Sequence, residues 1–145
     1  MGILDFFFSQ PKVVSEAKAE AKILFKEYEK VKGKVGMNCV HLLKKPILEI
    51  FNNRKKHKAF ENHLIKEGIT PKIWLLRSIA LISSNAVSSG KNHMHRGVLN
   101  PMDGSDALLP VCFDAFNRLV ELGDVKKKWV EENNKALIEN VKSVG

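Results

Sequence analysis

Residues 70–90 read TPKIWLLRSIALISSNAVSSG. Thr70-Pro71 is a helix start, with an N-cap hydroxyl followed by a proline in the first turn, where a missing N–H costs nothing. Gly90 is placed to close the helix at about Ser89. Between them Ile73, Trp74, Leu75, Leu76, Ile79, Ala80, Leu81, Ile82, Ala86 and Val87 cover most of the circumference. A helix that is apolar nearly all round belongs inside a domain rather than on its surface. The spacing therefore predicts an all-α fold, a single-domain bundle of five to six helices around a buried central helix over about 71–89. Between Ile73 and Val87 Arg77 is the one full charge, and it must reach solvent or a carboxylate, because a buried unpaired charge is very costly.

The flanking segments fit the same plan. Over 11–32, Val14, Ala17, Ala21, Leu24, Tyr28 and Val31 recur at spacings of three and four, the stripe of an amphipathic helix, with Ser9 as N-cap and Gly33 and Gly36 as its end. Lys22, Lys26 and Lys30 line one edge of it. Val40, Leu43, Ile47, Ile50 and Phe51 continue the pattern over 37–52, interrupted by Pro46, which either kinks that helix or divides it. Residues 54–67 turn His57, Phe60, Leu64 and Ile65 inward, and Gly68 caps them. A helix over 105–122, either capped by Ser105 or Asp103 or delayed to Leu109 by Pro110, carries Leu108, Leu109, Cys112, Phe113, Phe116, Leu119 and Val120. Asp124 caps a last helix to about Val141, with Val125, Trp129, Leu137, Ile138 and Val141 as its stripe. No alternating segment long enough for a strand and no internal repeat is visible.

At 145 residues the chain is expected to form one domain, 1–145, large enough to bury a core without disulfides or metal. Cys39 and Cys112 lie among apolar residues without C-x-x-C spacing, so free buried thiols are expected and no cofactor or metal is implied. The N-terminal segment 1–10, MGILDFFFSQ, has no basic region or cleavage site, and Phe6 stands where a myristoylation signal needs a hydroxyl. Ile3 to Phe8 suit either a shallow contact with a membrane surface or a fold back onto the core, and the second is favoured because one short apolar end binds membranes only marginally. A cytoplasmic location is the expectation.

The formal net charge is +8, and residues 37–72 hold 8 Lys+Arg against 3 Asp+Glu. Lys44, Lys45, Arg54, Lys55, Lys56 and Lys58 make this excess, and the cluster 54–58 opens a helix, where the dipole disfavours cations. Such a segment can bind a phosphate backbone, and a solvated basic surface is the plainer alternative. Lys55 through Thr70-Pro71 also reads as a helix–turn–helix, but its second helix is too apolar to lie in a groove, and Phe51 and Phe60 stand at core spacing rather than on an exposed platform.

A second candidate is the stretch 88–106, SSGKNHMHRGVLNPMDGSD, within which residues 90–104 are expected to form a long polar loop. Long connections in compact domains are usually functional. Lys91, His93, His95, Arg96, Asn100 and Asp103 make it a candidate contact for a protein partner or an anionic ligand, with Arg96 able to grip a phosphate or carboxylate through two donors. A structural use is as plain: Lys91 closing a helix end and Arg96 pinned to Asp103 or Asp106. His93, His95 and Asp103 as a metal or enzyme site is the weakest chemistry, since a lone H-x-H lacks a third ligand at the usual spacing. The expected function is thus a non-catalytic binding or regulatory helical domain acting through 91–106. The alternatives are nucleic-acid binding through 44–58 and a small enzyme or metal protein using His93, His95 and Asp103.

Overall fold

In the computed structural model, which describes residues 11–31, 37–95 and 108–142, six helices follow one another. They are α1 (Lys12–Val31), α2 (Met37–Asn52), α3 (Arg54–Glu67), α4 (Pro71–His95), α5 (Leu109–Glu121) and α6 (Lys127–Lys142). Among the described residues there is no strand, so the chain is an all-α bundle. α4 is its spine and packs against α1, α2, α5 and α6. Leu75, Leu76 and Ile79 of α4 are almost wholly removed from solvent, each such side chain contributing about 1.5–3 kcal/mol of transfer free energy.

The expected start of α4 holds: Thr70 Oγ1 accepts from the Ile73 N–H at 3.2 Å. Its end does not. The helix runs through Gly90 to His95, so residues 90–95 are helix and not the beginning of a loop. Glycine lowers helix propensity by about 1 kcal/mol relative to alanine without forbidding the conformation, which is why Gly90 failed as a stop. The remainder of the expected loop, residues 96–107, lies outside the described residues. Nor is α4 buried all round, because Leu81 is 61% exposed and Arg77 faces outward. Apolar composition marked the helix as central but overstated how much of its surface is covered.

Both positive-φ glycines among the described residues end helices. Gly68 (φ 64) follows α3, with its N–H on the Ile65 carbonyl and the Ile69 N–H on the Leu64 carbonyl. Gly123 (φ 76) follows α5, with the Asp124 N–H on the Leu119 carbonyl at 2.9 Å. This is the paired-bond C-terminal motif that satisfies the last carbonyls of a helix and favours glycine. Ile65, expected inward, is 73% exposed; it sits one step beyond the His57–Phe60–Leu64 stripe on the last turn of α3. Pro46 stays inside a continuous α2, on its exposed side.

The start of α5 falls at Leu109, as Pro110 suggested, while Ser105 and Asp103 lie outside the described residues. α6 begins at Lys127 rather than at Asp124. Asp124 is the partner of Arg77 instead: its carboxylate accepts from Arg77 Nε at 2.8 Å and from Nη2 at 2.6 Å. The expectation that Arg77 finds a carboxylate is met, and the residue read as a helix cap is that carboxylate.

Candidate functional site

The corner between α2 and α3 gathers most of the basic segment. Asn53 breaks the helical run with an extended backbone (φ −106, ψ 103), and its side-chain oxygen accepts from the Lys55 N–H at 3.1 Å. That cap satisfies one of the orphan donors at the start of α3. Beneath it, His57 is buried, and its Nε2–H donates to the Phe51 carbonyl at 2.6 Å, tying the first turn of α3 to the last turn of α2. Phe51, Phe60 and Trp74 support the corner from inside, with Phe60 edge-on to Trp74 at 4.6 Å between ring centroids. These rings are in the core, as their spacing implied, and offer no stacking surface.

So held, the corner opens a shallow cleft of about 850 Å³ lined by Lys45, Leu48, Glu49, Asn52, Asn53, Arg54, Lys55 and Lys56. Lys45, Lys55 and Lys56 are exposed and make no ion pair among the described residues. Glu49 is the one acid in the lining. Cations crowd the first turn of α3, the end of a helix whose own partial charge is positive. The lining thus brings the side chains of Lys45, Arg54, Lys55 and Lys56 around one concavity, an excess of positive charge that can attract an anion.

Of the other basic candidates, Lys58 turns away to pair with Glu61 at 3.1 Å. Lys44 leaves the cleft as well; it pairs with Glu29 of α1, and its Nζ stands 5.8 Å from the Phe25 ring centre. It lines a second groove, of about 410 Å³, between α1 and α2, together with Lys18, Lys22, Lys26, Phe25 and Leu48. Lys22 and Lys26 were legible in the sequence as part of a basic edge, but their meeting with α2 was not, because it depends on how the two helices pack.

For the 91–106 candidate, the α4 backbone carries Lys91, His93 and His95 as helix, and their side chains lie outside the described residues, as do Arg96, Asn100 and Asp103 altogether. Among the described residues no group of three or more His, Cys, Asp or Glu stands close enough to hold a metal ion. Cys112 is buried, its thiol directed at the Ala80 carbonyl at 3.8 Å, and burial pushes its pKa up, away from the reactive thiolate. Among the described residues no helix is long and apolar enough to cross a membrane. Set beside known proteins, the chain matches no family model, no curated sequence and no solved structure.

Proposed function

We propose that the protein is a non-catalytic nucleic-acid-binding domain that holds the phosphate backbone in the α2–α3 corner. The observation supporting this reading is the convergence of Lys45, Arg54, Lys55 and Lys56 on one cleft at the N-terminus of α3. Helix N-termini and lysine clusters both attract phosphate, and here they coincide. The buried state of Phe51 and Phe60 favours contact with phosphates over stacking on bases, and phosphate contacts position a strand without reading its sequence. The contact with a protein partner or anionic ligand through 91–106 stands as the alternative reading, and its side chains lie outside the described residues.

The test is a fluorescence-anisotropy titration of a labelled oligonucleotide at several salt concentrations. Binding should weaken steeply with salt, and Lys55→Glu with Lys56→Glu should lower affinity about equally for oligonucleotides of unrelated sequence. A flat salt response, or wild-type affinity in the charge-reversed protein, would overturn the reading.

A further inference from the structure

Lys44 and Lys45 are neighbours in the chain, yet Lys45 lines the α2–α3 cleft and Lys44 the α1–α2 groove, and Leu48 lines both. The two concavities are thus one surface that crosses the outer side of α2 at Leu48. On its far side stand Lys18, Lys22 and Lys26, repeated every four residues on α1. Such residues share a face and follow one another at about 6 Å along the axis. Like charges at this spacing repel, and their own helix does little to relieve them. No acid lies three or four residues from Lys18 or Lys22, and the one near Lys26, Glu29, is engaged by Lys44. None of these three lysines makes an ion pair among the described residues. A row of uncompensated cations in a groove suits a linear polyanion better than a single phosphate.

We infer that the ligand of the basic corner is an extended single strand of nucleic acid, which runs from the start of α3 across Leu48 onto the lysine row of α1. This rests on the reading of the α2–α3 corner given above and adds a second station to it. A strand is favoured over a duplex because the path bends over α2 between two concavities. A flexible strand follows that course freely, whereas a duplex, with a persistence length of about 150 base pairs, bends over so short a path only at an elastic cost. Leu48, 38% exposed, gives the strand an apolar contact at the crossing, and Phe25 and Phe51 stay buried, so the track is indifferent to base identity.

The experiment compares labelled oligothymidylates of about 4 and about 16 nucleotides, the span of site sizes in single-strand grooves. Three proteins are titrated: wild type, an α1 variant (Lys18→Gln, Lys22→Gln, Lys26→Gln) and a corner variant (Lys45→Gln, Lys55→Gln, Lys56→Gln). The wild type should bind the long strand at least about tenfold tighter than the short one, and the α1 variant should lose that gain while keeping its affinity for the short strand. Its salt dependence on the long strand should flatten by about 2 in log–log slope, the value for three lost contacts to a single strand. If the α1 variant binds the long strand as wild type does while the corner variant does not, the extended track is wrong and the corner reading survives. If a duplex of equal length binds tighter than the strand, the single-strand assignment is overturned. If no oligonucleotide binds and phosphatidylserine vesicles do, both readings fall.

Discussion

Arg77 and Asp124 meet in a two-pronged ion pair, Nε and Nη2 of the guanidinium on the two carboxylate oxygens at 2.8 and 2.6 Å. The bond joins the outer side of α4 to the turn between α5 and α6. The Asp124 carboxylate is 8% exposed and the Arg77 side chain 44% exposed, so one partner is sheltered and the other remains in solvent. The Asp124 backbone N–H simultaneously closes α5 on the Leu119 carbonyl. One residue therefore ends a helix with its main chain and docks that helix end on the spine with its side chain.

Removing either partner should destabilise the fold, and a double-mutant cycle of Arg77→Ala with Asp124→Ala should show a coupling of about 1 kcal/mol, the upper part of the range for exposed pairs, because the geometry is bidentate. Urea unfolding measures it. Additive single effects would mean that the pair contributes nothing beyond its separate side chains. The backbone bond to Leu119 survives in both variants, so the cycle isolates the ion pair.

His57 belongs to the sequence cluster 54–58, but its ring is inside the protein and holds the Phe51 carbonyl. His57→Leu should fit the apolar surroundings and leave that carbonyl without its donor, at a cost of about 1–3 kcal/mol. The folded variant should still bind oligonucleotide close to wild-type affinity in anisotropy titrations. Unchanged stability with lost binding would reverse the assignment and make His57 a ligand contact.

A side chain at Gly68 or Gly123 would meet nothing within 4 Å, so any cost of substitution is in the backbone alone. Their φ values of 64 and 76 imply that Gly68→Ala and Gly123→Ala each cost about 1 kcal/mol, with asparagine less harmful than alanine at either site. Thermal unfolding of the four variants checks this. An alanine variant more stable than wild type would show that the left-handed conformation is not required there.

The fold was legible where local chemistry is unambiguous. Thr70-Pro71 and Gly68 mark α4 and α3 because a proline and a left-handed cap admit few alternatives, and the stripe from Val14 to Tyr28 appears on α1 as its spacing requires. Gly90 was misleading because a glycine can end a helix or merely weaken one, and nothing local decides between them. Asp124 is ambiguous for a related reason: a carboxylate before a helix looks like a cap until an arginine 47 residues away claims it. The corner of the candidate site was half visible. The cluster 54–56 and Lys45 could be named from composition, but the departure of Lys44 to Glu29 and of Lys58 to Glu61 depends on side-chain directions that charge counting does not supply.

Tyr28 offers a test of packing through pH. It is the only tyrosine in the chain, is buried on α1, and donates its hydroxyl to Asp114 Oδ2 of α5 at 2.8 Å. Arg118 steadies the same carboxylate at 2.8 Å and reaches back to Glu27 of α1 at 2.9 Å. Burial first, then the bond to Asp114 and the negative charge of that carboxylate, push the phenol far above its ordinary value, against a smaller opposing pull from Arg118. The folded protein therefore keeps a proton that the unfolded chain releases above about pH 10. The stabilisation is fully present below that pH and is lost as pH rises beyond it. Near-ultraviolet phenolate absorbance should stay absent at about pH 11 and appear together with the loss of helical circular dichroism. Tyr28→Phe should make stability less dependent on pH in this range and cost about 1 kcal/mol at neutral pH, where it removes one hydrogen bond. Phenolate absorbance rising at about pH 10 in a protein that is still helical would show that the hydroxyl is open to water and that α1 does not close over Asp114.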